Sequence, residues 1–249
     1  MKKLIPFLIL LSTPLIGQTL DTIDGIATSS LSKIDGQTVA ASATDITLED
    51  SAVTTGTSYS SPLNIDVNIP AVSADDILLL FCTTSNQSDP TSSPPSGWTK
   101  IAEQDNSLTY ASTVAAYWKR ASSSASATTE TWSSFYPNGE TYYIWVGAYS
   151  GCVTSGSPID SYGQDESGYA TPWSVSLTTQ SADTMVSTII GSHFGSVTCT
   201  WADGTVLISN NGPSVFINEK LEATSGSKTR TATPSQATSF SGIAVALKR

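Results

Sequence analysis

Val67-Asn68-Ile69-Pro70-Ala71-Val72-Ser73-Ala74-Asp75-Asp76-Ile77-Leu78 and, 108 positions on, Val175-Ser176-Leu177-Thr178-Thr179-Gln180-Ser181-Ala182-Asp183-Thr184-Met185-Val186 carry one pattern twice. Each copy ends an alternating strand, crosses a short polar turn at Ala-Asp, and opens a second, apolar strand. Working outward, the echo continues in order. Pro95-Ser96-Gly97-Trp98-Thr99 answers to Ala202-Asp203-Gly204-Thr205-Val206, the run 114–119 to 215–220, and Trp145-Val146-Gly147-Ala148-Tyr149 to Ile243-Ala244-Val245-Ala246-Leu247. The offset shrinks to 98 as loops shorten, which we read as an internal duplication.

The elements between these anchors are short, rich in Val, Ile, Thr, Tyr and Trp, and separated by Ser/Gly/Pro/Asn clusters. No window holds a helical apolar period for three turns. Strands are expected over 64–69, 77–83, 98–104, 110–119, 128–133 and 142–149, then over 174–179, 185–192, 206–209, 215–221, 228–233 and 242–247. The fold class is therefore all-β, an antiparallel, jelly-roll-like β-sandwich of about twelve strands built from two sequence-related halves. A half of about 85 residues buries little alone, so one shared core over 58–249 is favoured above two separate domains. Half one spans 58–150, a linker 151–172, and half two 173–249.

The 249 residues include 41 Ser and 34 Thr, with only 13% charged, and the 11 basic against 21 acidic residues give a net charge of −10. No Lys/Arg cluster could neutralise a run of phosphates, which argues against nucleic-acid binding. One histidine (His193) and three cysteines (Cys82, Cys152, Cys199) without ligand spacing give little material for a zinc site or a His-based triad. At most one disulfide can form, and buried free thiols are the alternative.

Met1-Lys2-Lys3 and the apolar run 4–16, broken by Pro6 and Pro14, have the layout of a secretory signal peptide cleaved after Gly17. The run is too short and too interrupted to span a bilayer, and no other segment is a transmembrane candidate. The other reading of 1–17 is an uncleaved arm that docks into a partner subunit. Over the arm 18–57, Leu20-Asp21-Thr22-Ile23-Asp24-Gly25 is echoed eleven positions later by Leu31-Ser32-Lys33-Ile34-Asp35-Gly36, and each Asp-Gly marks a tight turn.

These Ile-Asp-Gly units resemble N-terminal segments of structural proteins of tailed bacteriophages. The order of "IPAVSADDILLLF", "PPSGWTKIAE", a strand ending "YWKR", "VGAYSGCVTSGSPID" and a final "GIAVALKR" is similar to a β-sandwich module of phage tail and virion proteins and of secreted bacterial surface proteins. It covers about residues 60–249. Such modules generally share no active site, so the resemblance implies architecture and carries no catalytic residue over.

A glycosidase needs two carboxyls flanking a sugar, and the nearest pair is Glu103 with Asp105, at a strand end without an acidic counterpart in the second half. His193 sits in an apolar run and reads as a packing residue. In the linker, Asp160, Asp165 and Glu166 are a weak candidate for Ca²⁺, without the dense acidic spacing of a dedicated loop. No cofactor is expected, and the chain is read as not an enzyme.

Sugar-binding surfaces use exposed rings that stack on apolar sugar faces. Trp145 and Tyr149 align with Ile243 and Leu247 and are expected in the core. Trp118 aligns with Glu219, Trp201 with Pro94 before a strand, and Trp132 and Tyr136 flank the Phe135-Tyr136-Pro137-Asn138-Gly139 turn. Trp118, Trp201, Tyr136 and Trp132 are thus the ligand-binding candidates. Two function classes follow: a virion or tail-associated structural and adhesion protein, and a secreted bacterial surface protein that binds carbohydrate, with a polysaccharide depolymerase third. Expected partners are other virion or surface proteins, a host cell-surface glycan and further copies of the chain, in a virion or at a cell surface.

Overall fold

The computed structural model describes residues 45–57, 63–84, 96–105, 112–135, 141–192, 197–211 and 214–249, with four two-residue strands nearer the N-terminus. The chain divides into two compact units, Met1–Thr44 and Asp45–Arg249. In the first, β1 (Thr22–Ile23) pairs antiparallel with β2 (Ile26–Ala27), and β3 (Lys33–Ile34) with β4 (Gln37–Thr38). These pairs flank the two Asp-Gly steps. The segment 1–17 lies outside the described residues.

The second unit is all-β and antiparallel, as expected. Its first seven strands are β5 (Thr47–Thr57), β6 (Leu63–Ile69), β7 (Ile77–Thr84), β8 (Thr99–Asp105), β9 (Thr113–Arg120), β10 (Thr128–Phe135) and β11 (Thr141–Ser150). Eight follow: β12 (Ile159–Ala170), β13 (Trp173–Thr179), β14 (Thr184–Ser192), β15 (Cys199–Trp201), β16 (Thr205–Asn211), β17 (Ser214–Glu222), β18 (Gly226–Pro234) and β19 (Thr238–Leu247). They form sheets ordered β10-β6, β5-β11-β7-β9-β8, β12-β19-β14-β17-β16 and β13-β18-β15.

Three apolar cores stack these sheets into four layers. Val67, Leu80, Tyr117, Trp132 and Val146 fill the space between β10-β6 and the first five-stranded sheet. Trp173, Val186, Phe216, Ala232 and Ala244 do the same between the second five-stranded sheet and β13-β18-β15. Between the two five-stranded sheets lies the third core, with Ile77, Phe81, Trp145, Ile189, Ile217 and Ile243. Both faces of β7 are therefore buried, Ile77, Leu79 and Phe81 inward and Leu78, Leu80 and Cys82 outward, which is why its sequence is a continuous apolar run.

The two halves share strand order and register. Trp145 lies opposite Phe81 and Ile243 opposite Ile189; Val67 lies opposite Glu130 and Val175 opposite Arg230. A bulge falls between Lys100 and Ala102 on β8 and between Val206 and Ile208 on β16. Asp75 (φ 70°) and Asp183 (φ 52°) take the same left-handed conformation at corresponding turns, one that a short Asp side chain tolerates. One expected match slips by a residue: Thr99 and Thr205, not Thr99 and Val206, face Trp118 and Glu219.

Strands β5 and β12 go beyond the twelve expected, one from the arm and one from the linker. Each is the edge of a five-stranded sheet and mostly polar, because an edge strand that packs little on the core needs no apolar alternation. The short β15 is likewise additional.

Small residues bring the inner sheets together. A Cβ on Gly191 would lie 2.6 Å from Thr83 Oγ1 and 3.0 Å from Val114 Cγ1. Beside it, Ser112 Oγ donates to the Gly191 carbonyl (2.8 Å) and Ser241 Oγ to the Ser112 carbonyl (2.6 Å), so these buried hydroxyls cross from one half to the other.

Equivalent inner positions are filled differently. The Trp145 ring stacks on Phe81 (centroids 5.9 Å apart) and lies across Gly147, where a Cβ would run into it. The second half has Ile243 and Val245 instead. Gly147→Val is expected to cost about 1–3 kcal/mol through overpacking. In thermal melts the double variant Trp145→Ile/Gly147→Val should be more stable than the sum of its single changes predicts, because the new methyls occupy the space that the ring vacates.

Candidate functional site

Of the four candidate rings, two are core residues. Trp132, on β10, is 1% exposed and meets Tyr117 edge-on at 5.6 Å; Trp201, on β15, is 8% exposed within the outer core of the second half. Their turn-rich neighbourhoods do not open them to solvent, because β10 and β15 belong to outer sheets whose inward faces cover those cores. Trp118 is half-buried on β9, on the inward side shared with Val114 and Ala116. Tyr136 and His193 lie outside the described residues. Trp145 and Tyr149 are buried, as their pairing with Ile243 and Leu247 implies.

Charge is concentrated at one equivalent place in each half, where an inward-pointing residue of the outer sheet meets the five-stranded sheet. In half one it is Glu130 on β10. Lys119 Nζ donates to its Oε1 (2.6 Å) and Trp98 Nε1 to its Oε2 (2.7 Å), while the Lys119 ammonium sits 5.8 Å from the Trp98 ring centroid. In half two the equivalent residue is Arg230, 1% exposed. It donates to Asp203 Oδ1 (2.6 Å), to the Asp203 carbonyl (3.1 Å) and to Asn218 Oδ1. Lys220 Nζ donates to Asp203 Oδ2 (2.7 Å), and Glu222 lies 3.4 Å from both Lys220 and Lys228. The Lys220 hydrogen bond and the Arg230 charge hold the Asp203 carboxyl below its ordinary range, whereas burial lowers the Arg230 guanidinium. Gly204 (φ 83°) is obligatory there, since a Cβ would strike the Arg230 guanidinium and lie 2.5 Å from the Glu219 carbonyl.

Neither cluster stands out in the sequence. Its signal is a charged residue at an inward position of an alternating strand, Glu130 before Trp132 and Arg230 before Ala232, where an apolar side chain is the rule.

A third polar group lies in the inner core. Tyr149 Oη hydrogen-bonds Ser187 Oγ (2.8 Å) and donates to Glu219 Oε2 (3.1 Å), joining β11 of one half to β14 and β17 of the other. Burial raises the Glu219 carboxyl, and the Tyr149 phenol is raised well above its usual range, chiefly by burial.

The remaining candidates do not converge. Asp160 accepts hydrogen bonds from the Gln180 and Ser181 amides and from Ser181 Oγ, so it caps a turn, while Asp165 bonds the Glu166 amide on an exposed stretch of β12. Among the described residues no group of three or more His, Cys, Asp or Glu side chains could hold a metal ion. Glu103 pairs with Lys100. Asp50 and Asp76 border an open hollow of about 560 Å³, where they accept the Ala71 (3.0 Å) and Ser73 (2.7 Å) amides. None of the three cysteines is in a disulfide, and burial pushes the Cys152 and Cys199 thiols up to about 12, far from a reactive thiolate at neutral pH. No helix among the described residues is long and apolar enough to cross a membrane.

No protein-family model matches the chain, and it matches no characterised protein and no solved structure.

A raised carboxyl binds its proton more tightly in the folded than in the unfolded chain. The stabilisation linked to Glu219 protonation is therefore complete below the unfolded value near 4.5 and is lost as pH rises through the higher folded value. Glu219→Gln should raise the melting temperature at pH 7 and leave it nearly unchanged at pH 4. Melts of both proteins across that range check this.

Proposed function

We propose that this chain is a non-enzymatic structural and adhesion protein of a virus particle, of tail, fibre or decoration type, that contributes to particle assembly or host-surface attachment. The observation that carries the reading is where the polar chemistry of the body goes. Glu130, Asp203, Arg230 and Glu219 bind one strand to another, and the four-layer block presents polar sheet faces. The resemblance of "IPAVSADDILLLF", "PPSGWTKIAE" and "VGAYSGCVTSGSPID" to phage tail and virion modules supports it, as do the Ile-Asp-Gly hairpins near the N-terminus.

The signal-like residues 1–17 favour a second reading, a secreted bacterial surface protein that binds carbohydrate. The chain should co-sediment with virus particles in a density gradient, retaining its N-terminal peptide. Recovery only as free protein beginning at Gln18 would support the second reading. Purified protein should release no reducing sugar from host polysaccharide; release that Glu103→Ala or Asp105→Ala abolishes would establish a depolymerase instead.

A further inference from the structure

The outward face of the β13-β18-β15 sheet is lined by hydroxyl side chains. Along β13, Val175 and Leu177 point into the core and Ser174, Ser176 and Thr178 point away from it; along β18, Arg230 and Ala232 point in and Thr229, Thr231 and Thr233 point out. Cross-strand pairing sets Ser174 beside Thr231, Ser176 beside Thr229 and Thr200 beside Thr233. The first two pairs are hydrogen-bonded to each other, at 3.1 and 2.8 Å. The result is a ladder of hydroxyls repeating about every 6.8 Å along each strand and about 4.8 Å between strands.

Among the described residues of its three strands no outward position is charged, although the chain has a net charge of −10. The two charged residues of β18 are withdrawn from it, Lys228 towards Glu222 and Arg230 into the cluster with Asp203. The corresponding face of half one carries Asp66, which accepts from Thr131.

We propose that this hydroxyl face binds a neutral, polyhydroxylated polymer, a polysaccharide. Charge selects the class of partner. An anionic chain would meet a net-negative protein with no Lys or Arg on the contact face, and a cationic one would find no carboxylate there. The face also lacks the large apolar side chains that a stable interface with a second copy would bury at its centre. What it offers are hydroxyls. A hydrogen-bonded Ser–Thr pair uses one donor and one acceptor and retains one donor and three acceptor sites, which sugar hydroxyls can complement, while Thr methyl groups meet the C–H faces of the rings. The inference rests on the adhesion reading and supplies its ligand class, on a face separate from the half-buried Trp118.

The test is electrophoresis through native gels containing hydroxyethyl cellulose, galactomannan or mannan, with alginate as the anionic control. The full chain should be retarded by at least one neutral polymer and not by alginate. The triple variant Ser176→Ala/Thr229→Ala/Thr231→Ala should lose at least tenfold in apparent affinity with an unchanged circular dichroism spectrum. The pair Asn68→Ala/Thr129→Ala, on the equivalent face of half one, should bind as the parent does. No retardation by any neutral polymer, equal retardation by alginate, or full retention of binding in the triple variant overturns the proposal. Co-sedimentation with particles without retardation would leave the adhesion reading standing and remove only this face.

Discussion

The face-to-face burial of the two five-stranded sheets is the constraint on which the other layers depend. It makes β7, β9, β11, β14, β17 and β19 interior strands, largely buried on both sides, and each half then needs an outer sheet to cover its other face. Polar groups between the sheets can persist only if partnered. Ser112, Ser241, Tyr149, Ser187 and Glu219 meet that condition by bonding across the halves, so the same atoms that satisfy buried polarity also fix how the sheets sit on one another.

Charge pins the outer layers in a similar way. A charged β10 or β18 side chain that points inward needs polar partners there, and Glu130 and Arg230 find them in opposite ways. Glu130 takes a cation and an indole N–H; Arg230 takes a carboxylate, a carbonyl and an amide oxygen. The two halves therefore keep one geometry with charge of opposite sign at one position, and the Lys at the neighbouring strand, Lys119 or Lys220, serves both solutions. Withdrawing these charges inward is also what leaves the outer face of the second half to hydroxyls.

The interior strands are legible in the sequence because burial on both faces writes a continuous apolar run, as in Ile77–Cys82, and because the same order occurs twice. The register of Trp118 with Glu219 is legible too, and both are half-buried on the inner faces of β9 and β17. What hides is set by contacts between segments far apart in the chain. Strands β5 and β12 are polar edges whose only strong signal is the partner they hydrogen-bond, and Trp132 and Trp201 look exposed beside their turns until the sheets that cover them are known. The hydroxyl face hides for another reason: in a chain that is nearly a third Ser and Thr, its pattern stands out only once three strands are laid side by side.

Because the inner core is contributed by both halves, neither half can lose its fold without exposing the other, and the unit Asp45–Arg249 should unfold as one. Differential scanning calorimetry of the full chain measures this most directly. A single main transition whose calorimetric and van't Hoff enthalpies agree is the result expected of one cooperative body. Two resolved transitions, or a van't Hoff enthalpy about half the total calorimetric value, would contradict the shared core and make the halves independent sandwiches.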